Sequence, residues 1–162
     1  MTYARTYAQR GFTLLLSALV ASAVLAIGTA IYTLAVKQVN LSSLGRDSQF
    51  AFYTADTAAE CALFWDIRYN YFDIVAPLSV NPPDPRCSGQ ELAASGRTGA
   101  FPQTIVFRFE PDGRCADVSV TKTRDIVTQT ISTTIHADGY STACVSLDTN
   151  PTTLQRSIEF NY

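Results

Sequence analysis

From Phe12 to Val36 there are 25 consecutive residues without a charge, and 19 of them are apolar. In helical form, at 1.5 Å per residue, that run reaches about 37 Å, against a hydrocarbon core about 30 Å thick. The pattern predicts a helix able to cross a bilayer with some tilt. After Lys37 it turns amphipathic. Leu41, Leu44, Ala51, Phe52, Ala55, Ala58, Ala59, Ala62 and Trp65 recur at spacings of three and four, and Arg46, Asp47, Asp56 and Glu60 fall elsewhere. No proline interrupts the chain between Phe12 and Pro77. One helix is therefore expected from Phe12 to about Asp66, about 82 Å long. Its small-residue stripe needs a sheet or another helix to cover it.

Beyond Ile67 the periodicity is lost until Gly99, and Asn81-Pro82-Pro83-Asp84-Pro85 reads as loop. Alternation with a period of two then begins. Gln103 to Glu110 sets Ile105, Phe107 and Phe109 against Val106 and Arg108. Pro111-Asp112-Gly113 supplies a turn, and Cys115 to Thr121 returns with Val118 and Val120 on one face. Ile126 to Ala137 reads as a third strand, closed by Asp138-Gly139, and Thr153 to Tyr162 as a fourth. The expected fold class is α+β: a long N-terminal helix, half membrane-spanning and half amphipathic, packed on a roughly four-stranded antiparallel sheet.

Charge changes the picture little. Twelve Lys+Arg against fourteen Asp+Glu give a net of −2, so phosphate-driven nucleic-acid binding is not expected. Four cysteines, Cys61, Cys87, Cys115 and Cys144, all lie outside the apolar span. Their gaps of 26, 28 and 29 residues lack the short pairs of a zinc site. In an oxidising compartment they suggest two disulfides, with three connectivities open. Catalytic motifs are missing: the one histidine, His136, sits in a threonine-rich strand, and no glycine-rich phosphate loop occurs. Asp148-Thr149-Asn150 has too few carboxylates for a calcium loop and reads as a turn. No enzyme activity, cofactor or metal is expected.

The N-terminal end carries the sharpest signal. Arg5 and Arg10 precede the apolar run and no acid does, so the positive-inside rule keeps the leader cytoplasmic and exports the C-terminal domain. A secretory signal peptide would have a shorter apolar core, although Thr33-Leu34-Ala35 could be cut. A plain anchor would need only the span. The junction Arg10-Gly11-Phe12-Thr13-Leu14-Leu15-Leu16, opening 25 uncharged residues, resembles the class III leader of type IV pilins and type II secretion pseudopilins. The stretch from about Phe50 to Asp66 also resembles minor pilins.

That resemblance implies cleavage between Gly11 and Phe12 by a prepilin peptidase and N-methylation of Phe12. It implies a leader over residues 1–11, a transmembrane half over 12–36, an amphipathic half over 37–66 and an exported domain over 67–162. Implied partners are the prepilin peptidase, other pilins or pseudopilins through the N-terminal helix, and the inner membrane. Most members carry Glu at the fifth mature position; here that position is Leu16, and the first acid after the leader is Asp47. The departure is associated with minor, tip-like subunits. The resulting expectation is a minor pilin or pseudopilin, a structural subunit of a type IV pilus or secretion-like filament. The alternative is a membrane-anchored extracytoplasmic binding module that does not polymerise.

Overall fold

The computed structural model describes residues 5–74 and 84–162, with side chains from Phe12 onward. Prolines 82 and 83 of the expected loop lie outside the described residues. One helix, α1, runs from Arg5 to Tyr69, so it outlasts the expected end at Asp66 by three residues. It stops where Asn70 adopts a left-handed conformation (φ 49°) and Tyr71 N–H turns back to the Trp65 carbonyl at 3.1 Å. The chain forms two compact units, one ending at Leu44 and one spanning Gly45–Tyr162.

In the first unit every side chain described is exposed, and the helix is long and apolar enough to cross a membrane. Four of its hydroxyls are handled internally. Ser17, Ser22, Thr29 and Thr33 each donate to the carbonyl three residues back, at 2.8–2.9 Å. Those groups need no water, as a lipid environment requires.

The second unit is an α+β arrangement. Ala51, Ala55, Ala58, Ala59, Ala62 and Trp65 form the buried face of the helix. A small hairpin follows, β1 (Arg86–Cys87) with β2 (Gln90–Glu91), inside the stretch expected to be irregular. Its turn uses Ser88 and Gly89, both at positive φ, a local event too short to leave a periodicity. The main sheet is β3 (Gln103–Phe109), β4 (Ala116–Arg124), β5 (Ile131–Tyr140) and β6 (Gln155–Asn161), antiparallel throughout in the order β3-β4-β5-β6. Two cross-strand rows face the helix: Ile105, Val120, Ile135 and Phe160, then Phe107, Val118, Ala137 and Ile158. Phe72 stacks on Phe107 with ring centres 5.6 Å apart and closes the core beyond the helix end.

The third strand differs from expectation at both ends. Ile126 and Val127 are exposed, outside β5. The Asp125 carboxylate accepts from Val127 N–H (2.7 Å) and Thr128 N–H (3.0 Å), and Gln129 takes φ 59°, so residues 125–130 close into a turn. At the other end the strand runs through Asp138-Gly139 instead of stopping there. Gly139 is needed for space. A Cβ at that position would strike the Ala51 carbonyl and the Ala55 backbone, with Ala55 Cα 2.9 Å away. Alanines on the helix and glycine on the strand together allow backbone to approach backbone.

Gly139→Ala should therefore destabilise the protein by about 1–3 kcal/mol through overpacking. The urea midpoint would fall while the circular-dichroism spectrum keeps its helix and strand content. An unchanged midpoint would show that the helix can move off the strand without cost.

Candidate functional site

Helical periodicity carries the buried stripe from Ala62 on to Asp66, which is 3% exposed. Strand alternation does the same in the sheet. Val118 and Val120 face inward, and so does Lys122, which is 7% exposed. Thr133 shares the inward side of β5 with Ile135, and Tyr162 continues the row of Ile158 and Phe160. These four polar residues meet. Lys122 Nζ donates to Asp66 Oδ2 at 2.8 Å and to Thr133 Oγ1 at 3.3 Å. The Tyr162 hydroxyl donates to the same Asp66 Oδ2 at 2.7 Å. Asp66 Oδ1 is buried with no hydrogen-bond partner among the described residues. Burial, followed by the hydrogen bond to Asp66, pushes the Tyr162 hydroxyl well above the usual tyrosine range. The cluster joins the helix to β4, β5 and the end of β6. No sequence expectation covered it, although the two periodicities, read one residue further, point to it.

The other face of the sheet is polar. Arg108 clamps Asp117 with Nε–Oδ1 at 2.5 Å and Nη2–Oδ2 at 2.7 Å. His136 lies between two carboxylates, with Nε2 3.3 Å from Asp138 and Nδ1 3.4 Å from Glu159. Ser119 is its cross-strand neighbour on β4. Both imidazole nitrogens thus face acids, and no hydrogen bond between His136 and a hydroxyl occurs among the described residues. That arrangement orients the ring; it does not present a nucleophile. Among the described residues no group of three His, Cys, Asp or Glu side chains is placed so that it could hold a metal ion. Asn150 spends its side-chain oxygen on the N–H (3.1 Å) and hydroxyl (2.7 Å) of Thr152, in a turn.

The expected cysteines meet in two pairs, Cys61–Cys87 and Cys115–Cys144, with Cα separations of 6.0 and 4.6 Å. The first ties the helix to β1. The second ties the chain just before β4 to the short turn after β5, where Glu110 also accepts from Cys144 N–H at 2.7 Å. Closing loops of this size typically contributes about 2–4 kcal/mol each. Gly11 and Phe12 are consecutive residues of α1, far along the chain from the cysteines and the polar cluster, and Phe12 is exposed. Leu16, one helical turn on, is also exposed.

No family model matches this sequence, no curated protein is similar to it, and no solved structure matches its fold.

The raised Tyr162 value has a consequence at alkaline pH. Below the unfolded tyrosine value, about 10, the hydroxyl is protonated in both states and stability is insensitive to it. Above that value the unfolded chain loses the proton while the folded chain keeps it, so stability falls as pH rises. Tyr162→Phe should make this alkaline decline shallower in urea titrations between about pH 9 and 11. Tyr140, also raised, by burial and then by Asp117, leaves part of the slope in place. An identical slope in wild type and variant would show that Tyr162 ionises freely in the fold.

Proposed function

We propose that this chain is a minor pilin or pseudopilin-like subunit of an envelope filament, matured by a prepilin peptidase. One observation carries the reading. An uncharged membrane-length segment continues without a break, as the same helix, into a disulfide-bearing α+β domain. A detachable signal peptide or a flexibly tethered binding domain has no need of that continuity; a subunit that assembles through its helix does. The junction Arg10-Gly11-Phe12-Thr13-Leu14 supplies the processing signal. Cleavage after Gly11 removes the basic leader, leaves the apolar helix in the cytoplasmic membrane and frees the amine of Phe12 for methylation. The domain then sits on the outer side, where its cysteines can oxidise.

Gly11→Val should block maturation and leave a protein about eleven residues heavier, read by intact mass, in a bacterium that supplies a prepilin peptidase. The wild type should begin at a methylated Phe12. Retained Met1 in the wild type would favour the non-polymerising anchored module and overturn the filament reading.

Leu16 refines the role. A neighbour's N-terminal amine docking in hydrocarbon beside Leu16 would find no carboxylate there, at a cost of a few kcal/mol on insertion scales. That cost is avoided by a subunit that never receives such a neighbour, which supports a position at or near the filament tip in low copy. Immunogold labelling should mark one end of each filament. Dense label along the shaft would rule out the tip assignment.

A further inference from the structure

The two edges of the four-stranded sheet are treated differently. The β3 edge is bridged at its middle and just past its end. Ser95 and Val106 exchange two backbone hydrogen bonds of 2.9 Å, and the Gln90 side chain takes the Glu110 N–H at 2.9 Å and its carbonyl at 3.0 Å. The β6 edge is bare. On the β5 side, Tyr162 and Thr133 exchange backbone bonds of 3.0 and 2.7 Å, and Ser141 N–H reaches the Leu154 carbonyl at 2.9 Å. By strand alternation the even-numbered residues of β6 face β5. The N–H and C=O groups of Gln155, Ser157, Glu159 and Asn161 therefore point outward, and none of them is bonded among the described residues. Seven consecutive residues without bulge or proline make this a template for strand addition.

The side chains on this rim say what would fit. Ile158 and Phe160 are only partly buried, as is Leu63 of the helix, and Phe52 is 47% exposed. Leu63 and Phe52 lie about half a turn round the helix from Cys61, whose disulfide marks the opposite, β3 side. The helix-facing side of an added strand would thus meet apolar surface at Ile158 and Phe160, next to Arg156, which is held on the helix by Ser48. Its outer side would meet Glu159, with Asp138 one strand further in. Hydrogen bonds from Asn161 and from His136 hold the Glu159 carboxyl below its usual range, so it stays ionised.

A second copy of this chain does not fit. With both helices on one side, two β6 edges pair antiparallel, and the second β6 brings only Gln155, Ser157, Glu159 and Asn161 to the outer face, none of them a cation to meet Glu159. Pairing β6 with the β3 edge of a second copy is blocked by Ser95 and Gln90. We propose that the β6 edge docks an extended segment of a different protein, alternating apolar residues toward the helix with polar residues outward, one of them a Lys or Arg beside Glu159. In a filament this is a neighbouring subunit of another sequence, a step that rests on the filament reading above.

The test uses the full chain in detergent and a labelled short peptide alternating valine with threonine and one central lysine, followed by fluorescence anisotropy. The control peptide carries N-methyl groups on alternate amides. Binding to the wild type should weaken at least about tenfold with the N-methylated peptide, the weight of one or two main-chain hydrogen bonds. Ser157→Pro removes an outward N–H without touching the β5 backbone ladder; it should weaken binding as much, whereas Ser157→Ala, which loses only the hydroxyl bond to Asp138, should bind like the wild type and share the thermal midpoint of Ser157→Pro. Glu159→Lys should shift preference to the same peptide with glutamate in place of lysine. No binding, equal binding of the N-methylated peptide, or a wild-type homodimer that Ser157→Pro dissolves would overturn the proposal. Because the Gly11→Val experiment reads maturation alone, normal processing without peptide binding would sink strand docking and leave the filament reading standing.

Discussion

The ion pair between Asp66 and Lys122 decides how the helix sits on the sheet. Removing both charges from water costs several kcal/mol per ion, and their attraction only roughly repays it. Net stability is therefore not its main effect. Asymmetry is: loss of either member strands the other in the core, at about 3–5 kcal/mol. Rotating the helix by one residue, about 100°, would do the same by carrying Asp66 away from Lys122. At the other end of the contact, the Ala51–Ala55 backbone rests on Gly139 with no room for a side chain. A charge pair at one end and a steric fit at the other leave the helix one position. Cys61–Cys87 then fastens the side of the helix that neither restrains.

Most of the architecture was legible because it rests on periodicity. The helix pattern of Ala51 to Trp65 marks the buried stripe, and the alternation of Ile105, Phe107 and Phe109 against Val118 and Val120 marks the β3–β4 hairpin with its inward face. What escaped depends on contacts between distant residues. Gly139 reads as a strand terminator until the helix backbone is known to press on it. Ile126 and Val127 have strand-forming side chains, yet the Asp125 carboxylate offers their backbone a turn. The Asp66–Lys122–Tyr162 cluster was hidden by chemistry, since a lysine at an inward position looks like the end of a pattern. Only the partner, 56 residues away, makes its burial affordable. Which cysteines pair was likewise beyond any local signal.

The two units suit different solvents. Along residues 12–36 the helix closes its own backbone bonds, and four of its hydroxyls turn back onto carbonyls, leaving an apolar surface. From Gly45 onward the same helix buries alanines and presents Asp56 and Glu60 elsewhere, which suits water on one side and a sheet on the other. The change requires no hinge sequence: α1 contains no proline, and neither Gly28 nor Gly45 interrupts it. A rise per residue common to both parts fits one element to a lipid and an aqueous environment with only its side chains altered.

On the proposed reading, two asymmetries bear on the same question. In the membrane, Leu16 stands where a carboxylate would receive a neighbour's amine. In the domain, the β3 edge is bridged at its middle while four residues of the β6 edge have outward backbone groups without a partner among the described residues. A shaft subunit needs matching surfaces on both sides, because each copy must receive a neighbour as well as offer itself to one. A chain with one open edge and no carboxylate to receive an amine can be joined but cannot repeat itself. A heterologous contact that cannot repeat ends growth after one addition. The physical features that make this chain a poor building block for a long polymer are the ones that suit a subunit placed once, at an end.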